Sequence, residues 1–427
     1  LALSKNDMAW EALFEKYNIL EEININNTFK ISSEQINEFR EARLMTKFDS
    51  SNQLPELFAK NKITILPNSR GNYVLGKFKM FEQLKHDNSK PISMKLPDHI
   101  QSLDINQITS ESSALNVAHM SQMIDTVMKT KHNEPKSLLT LSGRMSSGLI
   151  EYNILNSDKS TYKFSVNKSQ IEIDGSYENL DKILIVEAKN KIPLDFNIRQ
   201  LYYPYRMYQN LNTSKEITPV FFTYADDIFT FHVYKFVDIM NYSSIKKVEQ
   251  FNFILNDSLN LDLEEIKRIS ANIKIIPEPK RVPFPQANTF SRILDMIDYI
   301  SEEKNKFDLA DAYDFDIRQS DYYANCLVYL GLAEKRGYNF VLNDDGLKIK
   351  NMHNSNKRNE LIISKILSHE PFWLAFDSTL KNGGEYDNEY IAKVLFEKVE
   401  HINSMKTAKR RAQTVTAWLS WIFSVIE

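Results

Sequence analysis

The residues with the clearest chemical content are Asp174, Glu187 and Lys189. They stand in Ile171-Glu172-Ile173-Asp174-Gly175 and Lys182-Ile183-Leu184-Ile185-Val186-Glu187-Ala188-Lys189. Side chains alternate along a strand, so Glu187 and Lys189, two positions apart, project on one face. Asp174 closes the preceding strand before the turn residue Gly175, and a hairpin pairing brings it alongside Glu187. Two carboxylates and the backbone carbonyl of Ala188 form an oxygen-rich set that suits Mg²⁺. Such a metal polarises a phosphoryl oxygen and lowers the pKa of bound water. The Lys189 ammonium then positions that water or stabilises charge on the phosphoryl group. The competing reading is a solvated strand edge, because the spacing pattern is permissive. Against it, the apolar run Ile183–Val186 leads straight into the charges. Charge on the buried side of such a strand is costly unless it is paired or metal-bound.

These residues need a sheet to hold them. Alternation and β-branched enrichment predict strands at Leu138–Leu141, Gly148–Leu155, Ser169–Ile173, Lys182–Ala188, Thr218–Tyr224 and Ile228–Lys235. Helices are expected at Ser113–Lys129 and Asp195–Asn210. Interleaved strands and helices indicate an α/β sheet with helical cover. Upstream, Trp10, Leu13, Phe14 and Tyr17 share one face of a helix near Asp7–Tyr17. Ser32 and Gln35 match a capping box that starts a helix running toward Leu44. Thr64–Gly76 reads as strand, turn, strand, so the N-terminal part is compatible with a winged-helix-like unit.

Downstream, Ile276–Pro285 holds four prolines in ten residues, which neither a helix nor a central strand tolerates. Beyond it come helices at Thr289–Ile300 and Asp321–Leu330, then short strands Ala333–Arg336 and Asn339–Leu342 around Gly337. That is the winged helix-turn-helix plan. With a polar linker at Leu84–Pro91 and a weaker break at Asn351–Lys357, the expected domains are 1–90, 91–276 and 277–427.

Composition sets outer limits. With 53 Lys+Arg against 56 Asp+Glu the net charge is −3, which by itself disfavours a nucleic-acid partner. The charge is unevenly spread, however: no Asp or Glu lies between His401 and Ile426. Neither G-x-G-x-x-G nor G-x-x-x-x-G-K-[ST] occurs, so nucleotide binding has no motif behind it. The single Cys326 excludes an intrachain disulfide framework and a Cys-based zinc site, and it fits a reducing cytoplasm. No apolar run of about 18 residues and no signal sequence is present. The chain starts at Leu1, so an initiator Met is missing or the start lies upstream.

Asp174-Gly175…Val186-Glu187-Ala188-Lys189 resembles the active-site motif of the PD-(D/E)XK nuclease superfamily. The chain as a whole resembles multi-domain type II restriction endonucleases, in which such a core lies between an N-terminal DNA-binding region and a C-terminal winged helix. The segments that carry this likeness are Glu41–Asp49, Ile65–Pro67, Ile198–Arg206 and Pro283–Ala287. Ile173 stands where the superfamily's name has proline. The resemblance implies that Asp174 and Glu187 bind metal and that Lys189 is the catalytic lysine. It adds Glu111, at the start of a helix, where a carboxylate is also simply favourable to the helix dipole. It adds Gln200 as a residue near the metal, although Pro204 interrupts the Gln-x-x-x-Tyr pattern of some branches.

DNA contact is expected from several places. By resemblance, Arg43, Lys47, Asn68 and Arg70 serve in the N-terminal region. Arg318 and Gln319 begin a recognition helix after Asp311–Phe315, and Arg and Gln pair with guanine and adenine edges. Tyr322 is either a DNA contact or a core aromatic. Lys406, Lys409, Arg410 and Arg411 crowd a helix start, where positive charge opposes the dipole, and phosphate contact explains them; an ordinary basic face is the alternative. Trp418 and Trp421 read as core, and His119 and His232 as structural. The expected activity is Mg²⁺-dependent, sequence-specific cleavage of double-stranded DNA by a homodimer, with a cognate methyltransferase protecting the host. The rivals are a modification-dependent endonuclease and a non-catalytic DNA-binding regulator.

Overall fold

In the computed structural model the described residues are 4–426, apart from 88, 98, 104–107, 212, 256–260, 301–303, 306–307, 310–316 and 353–355. The chain begins with α1 (Lys5–Lys16), where Ser4 and Asp7 form a capping box and Trp10, Leu13 and Phe14 are buried. Then come α2 (Ile19–Asn26), β1 (Thr28–Ser32), α3 (Ser33–Asn37), α4 (Ala42–Thr46), α5 (Glu56–Asn61), β2 (Thr64–Ser69) and β3 (Asn72–Gly76). The Ser32–Gln35 capping box forms as expected. The helix expected to run to Leu44 is two short ones, because the Asn37 side chain takes the Ala42 N–H at 2.7 Å and breaks the chain out of the helix. The strands make an antiparallel sheet in the order β1-β3-β2 over a core built on Trp10, Phe14 and Phe58.

The middle of the chain contributes β4 (Phe81–Gln83), β5 (Ile92–Ser93), α6 (Glu111–Met120), α7 (Met123–Met128), β6 (Leu138–Ser146), β7 (Leu149–Leu155), β8 (Thr161–Asn167), β9 (Gln170–Glu178), β10 (Lys182–Lys189), β11 (Asp195–Asn197), α8 (Arg199–Gln209), β12 (Glu216–Ala225), β13 (Ile228–Phe236) and β14 (Ile245–Ile254). Its main sheet has seven strands, ordered β5-β14-β13-β12-β10-β9-β6. The β10–β12 and β14–β5 pairs are parallel and the others antiparallel, so the sheet is mixed. β10 lies inside it with both faces covered. Leu184, Val186 and Ala188 pack toward α6 and α7, while Ile183 and Ile185 pack beside Tyr208 of α8.

Two helices of this middle region also differ from expectation. Ser113–Lys129 is broken at Gln122, which takes a left-handed φ of 61° and starts α7. Asp195–Asn210 opens as a strand paired with β4, and its helix begins only at Arg199. The cause is local: Phe196 is buried, and Ser50 and Ser51 hold the Asp195 carboxylate.

The remainder is α9 (Leu263–Asn272), α10 (Phe290–Tyr299), β15 (Lys304–Asn305), α11 (Ile317–Tyr329), β16 (Ala333–Arg336), β17 (Asn339–Leu342), α12 (Asp344–Lys350), α13 (Asn356–Leu367), α14 (Glu370–Lys381), α15 (Asn388–Lys398) and α16 (Met405–Ser424). Its sheet, β15-β17-β16, repeats the N-terminal order. Leu261 and Ile266 pack in this C-terminal core, ahead of the proline-rich segment. Trp418 and Trp421 are buried in it as expected, the Trp418 indole donating to the Ala287 carbonyl at 2.9 Å. The segment Asp311–Phe315 lies outside the described residues, and Asn351–Lys357 is described only in part. No described helix is long and apolar enough to cross a membrane.

Candidate active site

β9 and β10 pair antiparallel, with Val186 opposite Gly175 and Ile185 opposite Ser176. One step further along this register stands Asp174 opposite Glu187. There the ladder gives way to a side chain: Asp174 Oδ2 accepts the Ala188 N–H at 2.7 Å. Gly175 leaves room for the Tyr177 ring, since a Cβ on it would lie 2.8 Å from that ring. Glu187 and Lys189 share a face as alternation requires, and Lys189 Nζ donates to Glu187 Oε1 at 2.6 Å. Gln200, in the first turn of α8, donates its Nε2 to the same oxygen.

The position of Gln200 is fixed from both sides. Asn197 Oδ1 accepts the Arg199 N–H at 3.0 Å and sets the start of α8. Pro204 lies four residues after Gln200 and has no N–H to return to its carbonyl. Gln200 Oε1 is buried and accepts no hydrogen bond. Glu111 begins α6, and the Asn190 side chain donates to the Thr109 carbonyl at 2.9 Å, tying that start to the end of β10.

The electrostatics follow from burial. Glu187 is 7% exposed. Burial pushes its carboxyl up to about 7, with Asp174 and Asp49 adding to the rise and Lys189 opposing it. Burial works to lower the Lys189 ammonium, but Glu187, Asp49 and Glu111 outweigh it and hold the pKa above its ordinary value. Glu111 is raised, first by burial and then by Asp174, against the attraction of Lys189. Acidic side chains thus outnumber the single ammonium at their centre. No group of three or more His, Cys, Asp or Glu side chains in metal-binding geometry occurs among the described residues. The expected ligand set asks for less: Asp174, Glu187 and the Ala188 carbonyl. Its donors are all oxygen, it carries excess negative charge, and a bare amide oxygen lies beside it, which together fit a hard divalent cation.

Asp49 closes the segment Glu41–Asp49 that carries the resemblance, but nothing there marks it as a site residue. It lies in a short segment between N-terminal elements, and no spacing rule connects it to β10. The candidate DNA contacts lie on other elements. Arg43 is exposed and paired with Glu41 at 2.9 Å, while Lys47 and Arg70 are exposed and Asn68 is half-buried. Gln319 is half-buried, and Tyr322 is 38% exposed beside a buried Tyr323; the Arg318 side chain lies outside the described set. Lys406 and Arg410 are exposed, Lys409 pairs with Glu389 at 2.8 Å, and Arg411 donates to Gln286. His119 has a structural partner, the Ser137 carbonyl at 2.8 Å.

Three family models match the chain, each described only as a domain of unknown function: DUF6996 at residues 7–75, DUF6997 at 76–254 and DUF7226 at 292–427. The Asp174–Glu187–Lys189 cluster falls within the second of these. No curated protein and no solved structure matches the chain.

Proposed function

We propose that this chain is a type II restriction endonuclease, built as a PD-(D/E)XK nuclease core between two winged-helix-like DNA-binding regions. The observation that carries the reading is the meeting of Asp174, Glu187, Lys189 and Gln200 where the β9–β10 ladder ends beside the start of α8, with Lys189 and Gln200 converging on one Glu187 oxygen. The mixed sheet with helices on both faces suits such a core. The matching strand order of the two terminal sheets, each following helices, suits a winged helix at either end.

Asp174, Glu187 and the Ala188 carbonyl would hold Mg²⁺, which when bound supplies a Lewis acid at the scissile phosphate and an acidified water. Lys189 offers its ammonium to the charge that builds on the phosphoryl oxygens as water attacks in line. Gln200 keeps Glu187 oriented. Because the cluster provides one set of these groups per chain, cutting both strands calls for a homodimer on DNA. A cognate methyltransferase would protect host sites.

The test is incubation of methylated and unmethylated plasmid with the protein, in Mg²⁺ or in EDTA, beside a Lys189→Ala variant. Discrete fragments from the intact protein in Mg²⁺ alone are the expected result. Cleavage of methylated plasmid only would favour a modification-dependent enzyme. No cleavage of either plasmid would sink the nuclease reading in favour of a DNA-binding regulator.

A further inference from the structure

The N-terminal region reaches into this site. Its segment Phe48–Gln53 is fastened to the residues that launch α8. Asn197 donates its backbone N–H to the Asp49 carbonyl at 2.8 Å and its Nδ2 to the Phe48 carbonyl at 2.9 Å. Asp195 accepts from Ser50 Oγ at 2.7 Å and from the Ser51 N–H at 2.9 Å. Asn197 also sets the start of α8, so one joint fixes the positions of both Gln200 and Asp49.

The Asp49 N–H is taken by Gln53 at 2.5 Å, but its Oδ1 is buried and accepts no hydrogen bond. A buried carboxylate oxygen without a donor is costly unless a charge offsets it. The Asp49 charge acts on Lys189, where it ranks after Glu187 among the attracting groups, and also on Glu187 and Glu111.

Lys189 meanwhile occupies Glu187 Oε1, an oxygen that a cation would need. Resting on the reading of Glu187 and Asp174 as cation ligands, we propose that Asp49 is a positioning residue. It takes the Lys189 ammonium when Glu187 turns to a divalent cation. The nuclease core is then complete only with the N-terminal region docked on it. Lys47, an exposed candidate for phosphate contact, immediately precedes this segment, two residues before Asp49, so DNA held there bears on the site carboxylate.

The test is direct binding of Mn²⁺ to the full chain without DNA, by isothermal titration. The proteins are the wild type and Glu187→Gln, Asp49→Asn, Lys189→Met, the Asp49→Asn/Lys189→Met double variant and Asp49→Glu. Asn is isosteric with Asp and leaves the backbone bonds of residue 49 in place; Asp49→Ser is the replacement if the Asn variant does not fold. Asp49→Asn is expected to weaken Mn²⁺ by about tenfold or more, the usual effect of losing a group that orients a ligand. Asp49→Glu should recover part of the loss. In the Lys189→Met background, where no ammonium competes for Glu187, the Asp49 substitution should change affinity by less than about twofold, because its effect runs through Lys189. An equal loss in both backgrounds would overturn the positioning role, since Asp49 would then act on the cation itself. Wild-type affinity in Asp49→Asn, with binding lost in Glu187→Gln, would overturn the role of Asp49 alone. Absence of Mn²⁺ binding by the wild type would overturn both this inference and the cation site on which it rests.

Discussion

The Lys189–Glu187 and Arg358–Asp226 pairs are alike in burial and unlike in what they join. Side-chain exposures are 16% and 9% in the first pair and 6% and 5% in the second. Burial pushes both carboxyls up, Glu187 to about 7 and Asp226 to about 6. Arg358 belongs to α13 in the C-terminal region, whereas Asp226 lies in the left-handed turn between β12 and β13 of the core. Their contact bridges two regions. Glu187 and Lys189 lie two residues apart on one strand, so their contact joins nothing that the backbone has not already joined. Around them gather Asp174, Glu111, Asp49 and a bare Gln200 oxygen. A buried pair that bridges elements accounts for itself as structure. Surplus acid does not separate the two pairs, because Asp227 and Asp298 also act on Arg358. What separates them is that a buried pair within one strand bridges nothing, and such a pair beside a bare amide oxygen is a candidate for chemistry.

The largest effect expected from this contrast is on stability. Arg358→Met removes one partner of the bridging pair and leaves Asp226 buried beside Asp227. Losses of this kind run to about 3–5 kcal/mol. Urea unfolding at pH 7 should register the drop, while the activity of the fraction that stays folded holds. The reverse pattern is expected at the site. Lys189→Ala should lower DNA cleavage by about 10²–10³-fold, the scale for removing one preorganised electrostatic group. Its unfolding midpoint should fall less, because Glu187, already near 7, takes up a proton at pH 7 more readily than Asp226, near 6, does when its cation is removed. A Lys189 variant that unfolds as readily as Arg358→Met would erase the distinction between the two pairs.

How much of this is legible in the sequence depends on distance along the chain. Asp174, Glu187 and Lys189 are legible because strand alternation and a short hairpin are local rules, but Gly175 is not the turn: β9 runs through it to Glu178, and the chain turns at residues 179–181. β8 alternates just as clearly, with Phe164 and Val166 buried between exposed neighbours, yet it is absent from the strands expected above. Asp195–Asn197 reads as helix but is a strand, because side chains from a distant segment, Ser50 and Ser51, hold it there. Asp49 and Arg358 are illegible for the same reason. Each acquires its role by packing against a different region, and neither spacing nor propensity records that. Arg292 is similar: it reaches from α10 to the Ile192 carbonyl at 2.8 Å, just beyond the site strand.

A smaller and slower change with pH separates the two carboxyls. Each has a folded-state pKa above its ordinary value, so the folded chain keeps a proton that the unfolded chain has lost. Stability from this source is full below the ordinary pKa and declines as pH rises through the folded one. The window for Asp226 runs from 3.8 to about 6, and that for Glu187 from 4.5 to about 7. Both release protons between pH 6 and 7, but Glu187 releases the larger share of its stabilisation there. Between pH 6 and 7 the wild type should lose up to about 1.4 kcal/mol from the Glu187 proton. Glu187→Gln should show a distinctly shallower decline there, the remainder belonging to Asp226, and keep the decline below pH 6. Urea titrations at half-unit pH intervals would reveal this, and an unchanged slope in the Gln variant would remove Glu187 from the account.

An exposed pair calibrates both buried ones. Lys409 meets Glu389 at 2.8 Å with side chains 53% and 76% exposed, so water and salt screen the attraction. Lys409→Ala should therefore change stability by less than about 1 kcal/mol. If the basic start of α16 meets phosphates, the same substitution should still weaken DNA binding by a similar factor at every sequence. The slope of log K against log salt should become shallower by about one, as expected when a single phosphate is no longer neutralised. Fluorescence anisotropy with a short duplex across a salt series measures this. A slope equal to that of the wild type would mean that Lys409 serves its surface pair and nothing more, and the DNA-facing charge would then have to be sought among Lys406, Arg410 and the N-terminal residues Lys47 and Arg70.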